Sequence, residues 1–141
     1  MPDYDYTQDQ IDISYMKLYD LPSDLLLYTN LKKLYCHFNY LTHFDSNTLP
    51  PSLEILYCVG NTLTHLDNLP NGLIELNCSN NYLTHLDNLP PNLVELVCQF
   101  NKITKLNNLP QSLKELYYVG NPLEYDFKPT LENIRSYIAS Y

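Results

Sequence analysis

The sequence contains no tryptophan, only three glycines and two methionines, and four cysteines among 141 residues. Eight Lys and Arg stand against sixteen Asp and Glu, for a formal charge of −8. So few cations exclude the basic face that nucleic acid or an anionic membrane surface requires. No apolar run approaches the ~18 residues of a membrane span. The start, Met1-Pro2-Asp3-Tyr4-Asp5, is acidic and has no basic stretch leading into an apolar one, so no secretory signal is expected. With glycine this scarce there is no phosphate-cradling loop, and no nucleophile-and-base pair stands out. Charged residues reach only 17%, below the usual quarter or so. The polar surface therefore falls to Asn, Thr and Tyr, and Tyr alone occurs 14 times. At 45% hydrophobic residues, a chain of this length can bury a core as one domain.

What is present is repetition. Residues 53–63 read LEILYCVGNTL, of the form LxxLxCxxNxL. The form recurs at 73–83, at 93–103 with Ile103 closing it, at 31–41, and at 113–123 with Tyr118 in the cysteine place. The step is about 20 residues, longer between the first two copies, which is the period of short solenoid repeats. Each copy leads into Thr-His-Leu-Asp-Asn-Leu-Pro or a variant of it, as at 64–70 and 84–90. Within LxxLxC the second Leu and the Cys are two residues apart, hence on one face of a short strand. A strand of three or four residues cannot hold itself, so copies must stack side by side in register, ~4.8 Å apart. The return path, about ten residues with Pro70 or its counterpart in it, has no room for a long helix. Proline holds Leu69 extended, so the convex side should be extended or polyproline-like.

These motifs resemble the leucine-rich repeat family, with Cys in place of the third Leu of LxxLxLxxNxL. The short step and the Leu-Pro ending are similar to the LPX-type repeats of bacterial effectors and to short repeats in proteins of large DNA viruses of amoebae. The resemblance covers about residues 11–125. It implies an α/β right-handed solenoid with a parallel in-register sheet on its concave face, used mainly to bind proteins. The expected organisation is one domain, 1–141. Residues 1–30 form an N-terminal cap and degenerate first repeat, with Ile11-Asp12-Ile13 as its strand and Leu18 and Leu21-Pro22 completing a longer turn. Asp9, Asp12 and the acidic start would keep that edge from pairing with another sheet. Residues 31–125 form five repeats. Residues 126–141 form a capping helix, with Thr130 at its N-cap and Leu131, Ile134, Tyr137, Ile138 and Tyr141 at helical spacing.

Stacking turns recurrent residues into columns. Asn39, Asn61, Asn81, Asn101 and Asn121 sit where the chain leaves the strand. An amide has two donors and an acceptor, so this column should bond neighbouring turns on both sides. Cys36, Cys58, Cys78 and Cys98 occupy an inward place. They have no CxxC spacing for a metal, and parallel side chains hold their Cβ atoms too far apart for disulfides. They are read as core packing in a reducing compartment. His43, His65 and His85, each followed two residues later by Asp45, Asp67 and Asp87, line one edge. A divalent-metal stripe or acid–base work is the sharp reading. The plain one, a solvated stripe with each Asp pairing a His or capping a turn, is preferred, because repetition copies any surface residue. The next copy has Lys105 and Asn107 there.

The outward strand positions are the expected working surface. One column is Lys33, Ile55, Glu75, Glu95 and Glu115; the second is Tyr35, Tyr57, Asn77, Val97 and Tyr117; the third is His37, Val59, Ser79, Gln99 and Val119. Ile55, Val59, Val97 and Val119 are expected to be exposed, and tyrosines favour binding patches. The expectation is a monomeric, non-catalytic protein-binding module without cofactor, acting in the cytoplasm or a host-cell cytoplasm. Its partner would be a protein or peptide with a basic and apolar surface. The alternatives are an effector-like or decoy scaffold acting on host signalling or ubiquitination, and a metal-binding protein or hydrolase built on the His-x-Asp edge.

Overall fold

The computed structural model describes residues 5–141, so the acidic start at Met1 to Tyr4 lies outside the described residues. Six strands of three residues each follow one another along the chain: β1 (Gln10–Asp12), β2 (Lys33–Tyr35), β3 (Ile55–Tyr57), β4 (Glu75–Asn77), β5 (Glu95–Val97) and β6 (Glu115–Tyr117). They pair in chain order into one parallel sheet. Ile11, Leu34, Leu56, Leu76, Leu96 and Leu116 stand opposite one another, and the flanking residues align in the same register. Hydrogen bonding continues beyond the strands: Cys36 N–H donates to Tyr57 O at 2.9 Å and Phe38 N–H to Val59 O at 2.8 Å. That continuation lets such short strands hold a sheet together.

The core follows the repeat. Leu31, Leu34, Cys36 and Leu41 are fully buried, as are their counterparts Leu53, Leu56, Cys58 and Leu63. Full burial of one such leucine contributes roughly 1.5–3 kcal/mol. Each return segment after the first ends in a turn in which the backbone of the leucine bonds back to a proline carbonyl, as Leu73 N–H does to Pro70 O at 3.1 Å; in the first, Leu31 N–H bonds to Tyr28 O instead. The convex side is extended except in the first turn, where Ser23–Leu27 forms a 3₁₀ helix that buries Leu25. The sequence reading placed this segment in the N-terminal cap after a longer first turn and assigned it no helix. The longer first turn gives a short helix the room that the later turns lack. The first strand also begins one residue earlier than expected: Ile11 faces the core opposite Leu34, and Ile13 takes the place that cysteine holds later.

One backbone demand recurs at every turn. The residue before the asparagine has positive φ: Phe38 (50°), Gly60 (66°), Asn80 (54°), Phe100 (53°) and Gly120 (82°); in the first turn Tyr15 (60°), followed by Met16, takes the same conformation. Glycine and asparagine suit this left-handed region; phenylalanine does not. The Phe38 ring lies over Gly60, so that a Cβ there would fall 2.5 Å from it, and the Phe100 ring lies over Gly120 in the same way. Each ring uses the bare glycine of the next turn as its floor.

The C-terminal end is closed by α1 (Leu131–Ala139), with Thr130 Oγ1 accepting from Asn133 N–H at 3.1 Å. Ile134 is fully buried, while Leu131 and Ile138 pack against the core. Arg135 ties the helix down: Nη2 donates to Pro110 O at 2.9 Å and to Leu113 O at 3.0 Å.

Candidate functional site

The asparagine column sets the spacing of the sheet. Asn81 is buried; its Oδ1 accepts from Leu63 N–H at 3.0 Å, and its Nδ2 donates to Cys58 O and Cys78 O at 3.1 Å each. Asn61 and Asn101 repeat the pattern. Asn39 does the same against the first turn through Met16 N–H, Leu18 N–H and Ile13 O. Asn121 holds Ile103 N–H, Cys98 O and Tyr118 O while only half-buried. Each amide thus bonds its own turn and the preceding one, not both neighbours as expected. The open carbonyls and N–H groups lie behind it, where the previous turn has just closed.

Cys36, Cys58, Cys78 and Cys98 are free and buried. Burial pushes the thiols of Cys36 and Cys98 up to about 12, and those of Cys58 and Cys78 well above the ordinary range. Protonated at neutral pH, they fill volume.

Outward from this scaffold, β2 to β6 present the three columns read from the sequence. Their character changes along the sheet. Towards the N-terminal end is an aromatic cluster: Tyr35 and Tyr57 have ring centroids 5.4 Å apart, and His37 stands 5.8 Å from Tyr35 and 6.0 Å from Tyr57. His37 Nδ1 is buried and has no hydrogen-bond partner among the described residues. Burial lowers the pKa of His37, with Asp12 pulling weakly the other way, so the ring is neutral at pH 7. From β4 onward the first column carries Glu75, Glu95 and Glu115 in adjacent register. Tyr57 Oη donates to Glu75 Oε2 at 3.2 Å and Tyr117 Oη to Glu115 Oε2 at 2.9 Å, while Glu95 has no such donor among the described residues. Burial, then the charges of Glu115 and Glu75, raise the pKa of Glu95. Lys33, Asn77 and Gln99 complete the face as half-buried polar groups.

Two expectations about this face are corrected. Ile55, Val59 and Val97 are half-buried rather than exposed, because the side chains of adjacent rungs, ~4.8 Å away, cover their flanks; Val119, near the end of the sheet, is 60% exposed. Ser79 is buried, and its Oγ has no partner among the described residues.

The sequence reading missed a second surface. Tyr15 stacks on Phe38 at 4.9 Å, Tyr19 on Tyr40 at 5.2 Å, and Lys102 lies 4.7 Å over the Tyr82 ring. With Phe100 they form an exposed aromatic margin where the strands end. The signal was available: bulky residues directly before and after the repeated asparagine.

The histidine edge lies further along each turn. Thr42, Thr64 and Thr84 hydroxyls bond Nδ1 of His43, His65 and His85 at 2.8, 3.1 and 2.9 Å. His43 Nε2 is 3.0 Å from Asp45 and His65 Nε2 is 3.9 Å from Asp67, while Asp87 accepts from Asn108. The His-x-Asp pairs are therefore not equivalent.

No protein-family model matches the chain, and no curated protein sequence matches it. Solved structures do. A Shigella effector leucine-rich-repeat domain superposes with a TM-score of 0.75 at 31% identity, over 89% of this chain and 54% of that one. YopM from Yersinia enterocolitica superposes with a TM-score of 0.68 at 35% identity, over 77% of this chain and 23% of that one. The chain thus spans about half the length of the first and about a quarter of the second. Its fold is the leucine-rich-repeat solenoid, with the short turns of effector repeats.

Proposed function

We propose that this leucine-rich-repeat chain is a protein-interaction module that takes a cationic, partly apolar segment of a partner on its concave sheet face. One observation carries the reading: Glu75, Glu95 and Glu115 stand in adjacent register on the face that also holds Tyr35, Tyr57 and Tyr117. Rungs ~4.8 Å apart hold these carboxylates close enough to repel. A lysine or arginine from a partner relieves that repulsion, and Glu95, which lacks a tyrosine donor, gains most. The half-buried aromatic cluster at Tyr35, His37 and Tyr57 supplies the apolar anchor, as rigid aromatic side chains do in binding patches. The likeness to effector repeat domains supports an interaction scaffold. The module works as a monomer without catalysis of its own, in a reducing compartment that suits four unpaired cysteines.

The test is selection from a displayed random peptide library, followed by amide chemical-shift mapping of the best binder. Selected peptides should be rich in Lys or Arg with aromatic or aliphatic neighbours, and their shifts should centre on β3 to β6. Replacing Glu75, Glu95 and Glu115 together with Gln should slow association and flatten its salt dependence. Tyr57→Ala should mainly speed dissociation. Shifts confined to the convex segments, or binding indifferent to both sets of changes, would overturn the assignment.

A further inference from the structure

We propose that Asp20, His43 and Asp45 form a site for one divalent transition-metal ion of the zinc or manganese kind, on the N-terminal end of the histidine edge. The placement follows from backbone register. Tyr40 N–H donates to Leu18 O as Thr62 N–H does to Leu41 O and Tyr82 N–H does to Leu63 O. Leu18, Leu41 and Leu63 are therefore equivalent, and two residues beyond each stand Asp20, His43 and His65. Continued through the later turns, the column reads Asp20, His43, His65, His85, Lys105. A carboxylate thus takes the histidine place beside His43. Asp45 approaches the same imidazole from within its own turn, 3.0 Å from Nε2.

One donor atom from each of Asp20, His43 and Asp45 lies within 4.8 Å of the others, and no other such trio forms among the described residues. Ligand bonds of ~2.0–2.2 Å need donors somewhat closer than that. Asp20 and Asp45 are exposed, so small side-chain rotations close the gap. Asp20 makes no hydrogen bond or ion pair with any described residue, so recruiting it breaks nothing. Two carboxylates and a neutral imidazole carry the charge that a divalent ion balances. The imidazole favours zinc or manganese over calcium and magnesium, which prefer oxygen throughout.

The ring is also held from outside the trio. Thr42 Oγ1 lies 2.8 Å from His43 Nδ1, and a hydroxyl can accept as well as donate. Without an ion, Nε2–H donates to Asp45, since a carboxylate only accepts. An ion takes the place of that proton, and with Nδ1–H then donating to Thr42 the Nε2 lone pair faces the ion, the outer-shell arrangement of metal-bound histidines. The His65 ring stacks at 6.5 Å on the other side of His43, near enough to supply a further nitrogen by a change of rotamer. His85 has no second carboxylate in its column, so the rest of the edge is not a site. An ion here would clamp the first turn to the second, where the sheet is otherwise open-ended.

The experiment uses the untagged full chain with its thiols reduced. Zn²⁺ binding is measured by calorimetry and Mn²⁺ binding by electron paramagnetic resonance; manganese has little affinity for thiols. The expected result is one ion per chain, with Asp20→Asn and His43→Ala each weakening affinity about tenfold or more. His85→Ala should leave affinity unchanged. Mn²⁺ should broaden the amide signals of residues 19–21 and 42–46 first. Asp20→Asn is isosteric at an exposed site and decides the matter if His43→Ala fails to fold. No saturable binding below about 1 mM, or Asp20→Asn binding as well as the natural chain, would overturn the site. Equal losses from His85→Ala and His43→Ala would do so as well.

Discussion

Asn81 shows how much one side chain carries in this solenoid. Its four amide hydrogen bonds satisfy buried backbone groups of two turns. Asn81→Ala leaves them unpaired, at about 1–3 kcal/mol. Thr84→Ala removes only an exposed contact to His85. The denaturant midpoint should fall clearly for the first variant and hardly move for the second; equal small shifts would argue against a buried amide column. Glu95 gives the opposite sign. Its folded-state pKa lies above the free value, so the folded protein holds that proton more tightly. The favourable contribution is complete below the ordinary glutamate range and is lost as pH rises through the raised value; above it, ionised Glu95 opposes folding. Glu95→Gln should therefore raise the denaturant midpoint at neutral pH, and the difference should vanish in acid. A gain that persists in acid would assign the effect to packing rather than charge.

At the scale of the turn, the decisive feature is the left-handed residue before each asparagine. Gly60 and Gly72 lie within one repeat but differ in kind. Gly60 has φ +66° and the Phe38 ring against its face, whereas Gly72 has no left-handed φ, and a Cβ there would meet only Leu53 O at 3.7 Å and Pro51 O at 3.8 Å, in ordinary contact. Gly60→Ala should destabilise by the ~1–2 kcal/mol of an L-residue in the left-handed region, plus the displacement of Phe38. Gly72→Ala should be neutral or stabilising by up to ~1 kcal/mol, through the lower entropy of the unfolded chain. Thermal melts of the two variants check this, and a similar loss in both would refute the role of the phenylalanine ring. At the other end, Thr130 and Arg135 make α1 a cap rather than a tail. The N-cap was readable as a polar residue before an apolar period. The arginine's grip on Pro110 and Leu113 was not, because no local pattern says which carbonyls a distant turn leaves open.

For the whole molecule, the repeat joins the thiols, the amides and the sheet into one array in which each turn contacts its neighbours. Labelling of Cys36, Cys58, Cys78 and Cys98 should consequently be slow in native buffer and fast in denaturant. Their raised pKa values hold the thiolate, the reactive species, at a trace level. Mass spectrometry over time reads the result; rapid native labelling of all four would place them outside the core. The net charge of −8 acts at this scale too. It favours fast encounter with cationic partners and makes that encounter sensitive to salt.

The period of the repeat, the inward Leu and Cys, the polar turn asparagine, the extended convex path and the capping helix were all legible in the amino-acid order. Each depends on residues a few places apart, whose alternation and spacing fix local geometry. The direction in which each asparagine bonds, the half-burial of Ile55, Val59 and Val97, and the 3₁₀ helix in the first turn were not. They depend on what the adjacent turn presents, and that is known only once the turns are stacked. The same holds for the meeting of Asp20 with His43 and Asp45. Far apart in sequence, they become neighbours because backbone hydrogen bonds between successive turns set which residue stands beside which.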